Sequence, residues 1–364
     1  MPEPTPRALG FRMPAEWEPH RGTWLSWPRA EGISFPGLYE RVPPIWLRMI
    51  EELSTGEDVN VNVLDAADER RVAALLDRST TVRRERVRLH RIPTNEPWCR
   101  DHGPIFVMRA DELAVVDWGY NAWGGKYPPF DRDDAVPRQV AALLGLRVFH
   151  PGIVMEGGSL DVNGRGTLLT TESCLLNPNR NPTLDRAAIE RHLGEFLGVR
   201  HVVWLGDGIA GDDTDGHVDD VARFVAADTI VTVVEDNPAD ENHRPLQDNL
   251  ERLRAARDQD GRSFTVLTLP RPRPVEREGQ RLPASYANFY VGNAVVLVPT
   301  FADPNDTGAL AVLARCFPSR RVVGIDSRDL VWGLGAFHCA TQQQPAFAAE
   351  PIVGNRLDPQ ITGA

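Results

Sequence analysis

The sequence has little cysteine and no long apolar run. Its four cysteines (Cys99, Cys174, Cys316 and Cys339) are widely spaced in 364 residues, and they form neither a disulfide framework nor a CxxC metal pair. Residues 1–17 lack the apolar core of a signal peptide, and no later segment is long and apolar enough to span a bilayer. We therefore expect a cytoplasmic protein.

Lysine is also scarce: Lys126 is the only lysine against many arginines. The formal net charge is −11, with 42% hydrophobic and 25% charged residues, a composition typical of a soluble globular protein. A negative protein is a poor partner for nucleic acid or an anionic membrane, and we expect neither. The same field favours a small cationic ligand.

Strand-like and helix-like segments alternate along the whole chain. Predicted strands cover 59–64, 105–108, 113–118, 167–171, 201–205, 222–234, 264–269, 289–298 and 321–325, and predicted helices cover 67–78, 136–144, 184–197, 244–257 and 307–316. This alternation predicts an α/β architecture of repeated units, and no low-complexity linker divides it. The pattern alone does not distinguish a doubly wound sheet from a circular arrangement.

Four polar, loop-like clusters fall between these elements. They are 95–104 (NEPWCRDHGP), 155–160 (MEGGSL), 211–220 (GDDTDGHVDD) and 333–345 (GLGAFHCATQQQP). Glycine lets the backbone approach a ligand closely. Acids, a histidine and a thiol in such turns are the groups that a nucleophilic cysteine enzyme uses. The alternative for Cys339 is a small buried hydrophobic residue.

The acidic cluster 211–220 also suggests a metal site. An EF-hand loop with Asp213 at its third position needs an acid at its first position and Glu at its twelfth, where this chain has Gly211 and Ala222. A binuclear metal hydrolase remains an alternative, because Asp and His are its ligands, but it gives Cys339 no role. We therefore expect no metal ligands.

In this order, the clusters resemble those of the agmatine deiminase and bacterial-type peptidylarginine deiminase family, within the guanidine-modifying enzyme superfamily. The resemblance covers residues 13–28, 98–107, 117–134, 155–182, 211–224, 284–306 and 335–345. It implies an α/β fold, the pseudo-fivefold αβ-propeller (pentein) of repeated ββαβ units, forming a single catalytic domain over 1–364. The site would then lie at the central axis.

The resemblance also implies the catalytic roles. Cys339 would be the nucleophile and His217 the general acid and base. Asp101 and Asp219 would grip the guanidinium, and Glu156 would orient His217. These residue types suit the chemistry, because two carboxylates match the donor forks of a guanidinium and a thiolate attacks its poorly electrophilic carbon. For Asp101 the alternative is a surface acid paired with the neighbouring Arg100.

Three further residues are expected to bind substrate. By resemblance, Trp98 would form an aromatic wall, although core packing is the alternative. Asn288 matches an active-site asparagine of some relatives, and Gly335 lies in the glycine turn before Cys339. Where agmatine-specific relatives have three glycines and an asparagine, this chain has 333–337 (GLGAF). We therefore expect a bulkier, more apolar pocket mouth.

The implied activity is hydrolysis of agmatine to N-carbamoylputrescine and ammonia, a step toward putrescine, through a covalent amidino-thioether on Cys339. No cofactor is expected, and a homo-oligomer is possible because enzymes of this family commonly self-associate. The main alternative is a deiminase of peptidyl arginine or another arginine derivative. Amidino transfer to an amine and a catalytically silent binding module are the others.

Overall fold

The strands of the chain form small sheets rather than one large one. The computed structural model describes residues 3–347, and within them the strands make five sheets of three or four strands and one short hairpin. The predicted domain, 1–364, extends outside the described residues at both ends. The strands are β1 (His20–Ser26), β2 (Asp58–Asn62), β3 (Val87–His90), β4 (Ile105–Arg109), β5 (Glu112–Val116), β6 (Arg147–Phe149), β7 (Asp161–Val162), β8 (Thr167–Thr171), β9 (His201–Leu205), β10 (Ala222–Ala226), β11 (Thr229–Val234), β12 (Thr265–Pro270), β13 (Glu276–Arg277), β14 (Gln280–Arg281), β15 (Tyr290–Val291), β16 (Val295–Thr300), β17 (Arg321–Asp326) and β18 (Thr341–Pro345).

Helices lie between the strands. They are α1 (Pro43–Leu53), α2 (Ala66–Arg78), α3 (Cys99–His102), α4 (Ala122–Gly125), α5 (Asp131–Asp134), α6 (Val136–Leu144), α7 (Glu172–Leu175), α8 (Arg186–Leu197), α9 (His243–Ala255), α10 (Asp306–Cys316) and α11 (Phe337–Ala340). Within residues 3–347, none of them combines the length and apolar character needed to cross a bilayer.

Four of the sheets repeat one arrangement. The first strand is antiparallel to the second, the second is parallel to the third, and a helix connects the second to the third. The four units are β4–β5–α6–β6, β7–β8–α8–β9, β10–β11–α9–β12 and β15–β16–α10–β17. A helical crossover is needed because parallel neighbours cannot be joined by a tight turn.

The fifth sheet joins the two ends of the chain. Its first strand is β18, which pairs antiparallel with β1, and β1 is connected through α1 to its parallel neighbour β2. Strand β3 adds a fourth strand at the edge. The chain thus contains five ββαβ units and has the pseudo-fivefold αβ-propeller fold, the pentein fold that the resemblance implied.

Ordinary helix signals set the bounds of the connecting helices. Asp185 caps α8 by accepting a hydrogen bond from the backbone N–H of Ala188 at 2.8 Å, and Gly198 ends the helix with φ 73°. Helix α6 covers the predicted range 136–144. It has Pro137 in its first turn, where the missing N–H costs nothing.

Two predicted strands are wrong because each is a pair of strands. Residues 222–234 are β10 and β11, which turn back at Ala227 and Asp228, and residues 289–298 contain β15 and the start of β16. Both faces of these strands are largely buried, so apolar residues continue up to each turn. The hydrophobic pattern therefore does not show where one strand ends and the next begins.

The polar strand β18 was not predicted, since TQQQP has no apolar alternation. It is nevertheless buried, and two of its three glutamine side chains accept hydrogen bonds from distant residues. Gln344 accepts a hydrogen bond from Trp24 Nε1 at 2.9 Å, and Gln343 accepts one from Arg100 Nη1 at 2.7 Å. Burial of polar groups is tolerated where they are hydrogen-bonded.

Candidate active site

Each of the five units contributes one short segment to a common centre. Every segment comes just before the first strand of its unit. They are α3 before β4, Gly157–Ser159 before β7, Val218–Asp220 before β10, residues 285–288 before β15 and α11 before β18. Segment α3 packs against both α11 and Gly157–Ser159, and Gly157–Ser159 packs against Val218–Asp220. The repeated unit therefore brings together residues that are far apart in sequence.

Cys339 lies in α11 and is only 5% exposed. The side-chain amide of Asn288 donates to its Sγ at 3.1 Å, and Asp219 Oδ2 is 3.7 Å from the same sulfur. Burial raises the pKa of the Cys339 thiol well above its usual value, and the negative charges of Asp219, Asp220 and Asp101 raise it further. With only protein groups around it, the sulfur is therefore a thiol.

His217 precedes the Val218–Asp220 segment and is fully buried. Its Nδ1 is 3.7 Å from Asp101 Oδ1, and its Nε2 is 4.0 Å from Glu156 Oε2. Burial acts to lower the pKa of His217, but Asp101, Cys174 and Glu156 outweigh it and raise the pKa well above the usual value. The neighbouring acids therefore favour the protonated ring, which can donate a proton.

The orientation of Asp101 is fixed by two hydrogen bonds, one to each of its carboxylate oxygens. Trp123 Nε1 donates to Oδ2 and the backbone N–H of Gly158 donates to Oδ1, both at 2.9 Å. Burial raises the pKa of Asp101, Asp219 raises it further, and His217 opposes the increase. Asp101 is not the surface acid paired with Arg100 that was considered as an alternative, since it is buried.

Asp219 is held on one side only. His338 Nδ1 lies 2.6 Å from Asp219 Oδ2, whereas the buried Oδ1 has no hydrogen-bond partner among the described residues. Burial acts to raise the pKa of Asp219, but the hydrogen bond and charge of His338, together with His217, lower it overall. Asp219 is thus a carboxylate with one oxygen left for another donor.

Gly158 is where these groups meet. A Cβ on this residue would lie 2.5 Å from His217 Nδ1, 2.7 Å from Asp101 Oδ1 and 3.1 Å from Asp219 Oδ2. Such contacts are too short for a carbon atom, so the position requires glycine. The side chains of His217, Asp101 and Asp219 therefore converge on Gly158.

Glu156 lies between His217 and a buried arginine. Arg180 Nε donates to Glu156 Oε1 at 2.8 Å, and Arg180 also pairs with Asp215. Glu156 Oε2 has no hydrogen-bond partner in the described part of the chain and faces His217. This geometry agrees with an orienting role for Glu156, which stays a prediction.

Within residues 3–347, one cluster of side chains has the residue types and spacing to hold a metal ion: Glu156, Cys174 and His217. One ligand atom from each lies within 4.8 Å of the others. The positive guanidinium of Arg180 binds one oxygen of Glu156, however, and would repel a divalent ion. The charge of Glu156 is already paired with that of Arg180, so this cluster gives no support to the binuclear hydrolase alternative.

A cavity of about 210 Å³ leads from the surface to Cys339 and Asp101. Its walls are aromatic, and its mouth is partly apolar. The lining residues are Ile33, Ser34, Pro36, Trp98, Asp101, Trp123, Tyr127, Asp213, Thr214, Gln280, Trp332, Gly333, Leu334, Gly335 and Cys339. Trp98 and Gly335 thus line the cavity, their contact with substrate stays a prediction, and Trp98 also packs against Phe35 in the core. A Cβ at Gly335 would lie 2.7 Å from the Trp98 ring.

Asn288 does not line this cavity. It lies behind the nucleophile, where its side-chain oxygen accepts from the backbone N–H of His338 at 3.0 Å and its amide contacts Cys339. Its predicted contact with substrate is therefore less direct than that of Trp98. The position suits stabilisation of the sulfur instead.

Lys126 binds two acidic residues, Asp213 and Asp215, near the mouth of the cavity. Its Nζ contacts Asp215 Oδ1 at 2.9 Å and the carbonyl of Asp213 at 2.6 Å, and Tyr127 donates its hydroxyl proton to the Asp213 side chain. Gln280, from the β13–β14 hairpin, lies at the same opening. Lys126 and Tyr127 therefore hold Asp213, which lines the entrance together with Gln280.

Sequence reasoning missed three residues that support the site: Trp123, Glu16 and His338. Trp123 occurs in the quoted segment 117–134, and Glu16 in 13–28. Each looks ordinary in sequence, because what identifies it is a contact with a side chain from another segment of the chain. The one sequence signal for such a residue is a charge flanked by apolar residues, and Glu16 shows it between Ala15 and Trp17.

The chain is similar to known proteins over most of its length. Residues 12–345 match the Porphyromonas-type peptidyl-arginine deiminase family. Agmatine deiminase of Ectopseudomonas mendocina is 39% identical over 367 residues, which cover 94% of this chain and 97% of that protein.

Solved structures are similar over the same extent. Agmatine deiminase of Enterococcus faecalis has a TM-score of 0.88 and 33% identity, and the match covers 95% of this chain and 98% of that one. A cysteine-to-serine variant of the C. jejuni agmatine deiminase, solved with substrate bound, has a TM-score of 0.84 and 30% identity over 93% and 97% of the two chains.

Proposed function

The chain belongs to the Porphyromonas-type peptidyl-arginine deiminase family, and we propose that it hydrolyses agmatine to N-carbamoylputrescine and ammonia through a covalent amidino-thioether on Cys339. One observation carries this proposal. An aromatic-walled cavity ends at Cys339 and Asp101, with Asp219 Oδ2 at 3.7 Å from the Cys339 sulfur and His217 Nδ1 at 3.7 Å from Asp101 Oδ1.

Binding comes first. The planar guanidinium enters between Asp101 and Asp219, whose Oδ1 has no other donor in the described residues. The faces of Trp98 and Trp123 suit a flat cation. The positive charge offsets the three acids that raise the pKa of Cys339, so substrate binding itself favours the thiolate.

Attack follows. The thiolate sulfur forms a bond to the guanidinium carbon, and His217 donates its proton to the departing nitrogen, which leaves as ammonia. A carbon bonded to sulfur and two nitrogens remains. The now neutral His217 removes a proton from water, the oxygen attacks the same carbon, and the C–S bond breaks to give the substituted urea and free Cys339.

The relatives do not favour the alternative substrate, peptidyl arginine. The acceptor in the second step is water rather than an amine in this proposal. Ammonia release in the absence of any added amine separates hydrolysis from amidino transfer.

We also propose that residues 1–364 act as one catalytic domain, without a metal or other cofactor, in the cytoplasm and as a homo-oligomer. The net charge of −11 supports a small cationic substrate and argues against nucleic acid as a partner. Size-exclusion chromatography with light scattering tests the oligomer.

The test of function is an ammonia-release assay with agmatine, free arginine and arginyl peptides. We expect turnover of agmatine, no loss on chelation, and loss in Cys339→Ser. Cys316→Ser is the matched control, because Cys316 lies in α10, away from the cavity. Turnover of arginyl peptides but not agmatine would contradict the proposed substrate, and an active Cys339→Ser variant would contradict the mechanism.

A further inference from the structure

His338, the residue before the nucleophile, lies between two carboxylates. Its Nδ1 is 2.6 Å from Asp219 Oδ2, and its Nε2 is 2.9 Å from Glu16 Oε2. A neutral imidazole carries one N–H and can donate to only one of them. Both contacts are satisfied together when the ring is an imidazolium.

The two acids are in their charged forms. Burial acts to raise the pKa of Glu16, but Arg223, His338 and Arg100 hold it well below its usual value. The pKa of Asp219 is also lowered, as described above. Glu16 also contacts the cations Arg223 and Arg100, which favour its charged form independently of His338, and both contacts of the ring are hydrogen bonds only if it donates from both nitrogens.

Glu16 is itself rigidly held. Arg223 Nη2 is 3.0 Å from Oε1, Arg100 Nη2 is 3.1 Å from Oε2, and the backbone N–H of Val291 donates to Oε1 at 2.9 Å. All of these partners are buried. Glu16 is thus a fixed support for His338 rather than a mobile surface acid.

The contacts of Asp219 show what this support achieves. His338 engages Oδ2, the oxygen that is 3.7 Å from Cys339 Sγ, and leaves the buried Oδ1 without a partner among the described residues. The ring thereby fixes the carboxylate plane. It also places a positive charge beside the acid nearest to the nucleophile.

We propose that His338 is a positioning residue: an imidazolium held by Glu16, which orients Asp219 toward the guanidinium and offsets negative charge at Cys339. The orienting part rests on the proposed function. The charge part does not, because it concerns only the reactivity of the sulfur.

Two variants separate orientation from charge. The side-chain amide of Asn can occupy the position of the imidazole Nδ1, so His338→Asn keeps a donor for Asp219 but removes the positive charge. His338→Ala removes both. We expect kcat to fall about 100-fold in His338→Ala, as for a misplaced reacting group, and clearly less in His338→Asn.

Substrate affinity is measured separately, by calorimetry with agmatine in a Cys339→Ser background. We expect His338→Ala to change affinity far less than kcat, because the Asp219 charge remains to attract the cation. Parallel losses of affinity and kcat would contradict an orienting role. The control is His201→Asn, at an exposed position on β9, with both values unchanged.

The charge is tested without substrate, by the rate at which iodoacetamide labels each cysteine peptide at fixed pH. Loss of the cation leaves Asp219 uncompensated, so we expect labelling of Cys339 to slow about tenfold in both His338 variants, the effect of one unit in the thiol pKa. Cys316 serves as the internal standard. The buried Cys99 and Cys174 stay unlabelled if the fold is intact.

Glu16→Gln tests the connection between the two residues. Because Glu16 acts through His338, the double variant Glu16→Gln/His338→Ala should have the kcat of His338→Ala alone. Independent, multiplying losses would overturn that part of the proposal. Equal Cys339 labelling in wild type and both His338 variants would overturn the charge part, whether or not agmatine is the substrate.

Discussion

The clearest single perturbation of the site is Trp123→Phe. This change keeps an aromatic wall in the cavity and removes only the Nε1–H that donates to Asp101 Oδ2 at 2.9 Å. Asp101 then keeps one donor, the backbone N–H of Gly158. The carboxylate is therefore free to rotate away from the orientation that grips the guanidinium.

The magnitude follows from the kind of bond. A hydrogen bond to a charged group contributes about 1.5–3 kcal/mol, so we expect kcat/KM for agmatine to fall roughly 10- to 100-fold. Because Trp123 acts to lower the pKa of Asp101, its loss raises that pKa further. The acid limb of the kcat/KM profile should accordingly move to higher pH.

The matched control is Trp204→Phe. Trp204 Nε1 also donates to a carboxylate, Glu190, at 2.7 Å, but the pair lies on β9 and α8, outside the cavity. This variant should keep its kcat/KM. If Trp123→Phe retains both kcat/KM and the acid limb of wild type, the assignment of Asp101 as an oriented carboxylate is refuted.

Three further predictions follow from particular contacts. Gly158→Ala should abolish turnover without unfolding, since its Cβ would lie 2.5 Å from His217 Nδ1, whereas Gly308→Ala, with no atom within 4 Å of its Cβ, should not. Labelling of Cys339 by iodoacetamide should still rise above pH 9, because the thiol pKa is raised, and added agmatine analogues that cannot react should lower that pKa. Arg223→Met should lower the free energy of unfolding by about 3–5 kcal/mol, because Glu16 and Asp161 lose a buried partner; Arg328→Met, at an exposed pair, should leave it unchanged in urea titrations.

Sequence patterns were sufficient where a local signal decides the structure. Helix α6 lies over 136–144, with Pro137 at its start and Gly145 after its end, and β8 and β9 lie over 167–171 and 201–205. The pattern failed at 222–234, because the buried apolar residues on either side of the turn read as one run and Asp228 is the single acid that interrupts it. It also failed at β18, whose burial depends on amide partners from distant strands.

The site, too, was predictable only where local sequence signals decide it. The residue types in the four clusters predicted a thiol, an imidazole and acids, and the resemblance supplied an arrangement for them. Their meeting point could not be read from spacing, because it arises from five units that close between β18 and β1. Trp123 and His338 were missed because their contacts with Asp101 and Asp219 join positions 22 and 119 residues apart in the chain.

The central claim is that one sulfur carries the substrate's carbon during turnover. Acid quenching during steady-state hydrolysis of agmatine, followed by mass spectrometry of the peptides, tests it most directly. The account predicts an amidino adduct on Cys339 and on no other cysteine, and its absence from Cys339→Ser. Rapid ammonia release with Cys339 unmodified at every time point would contradict it.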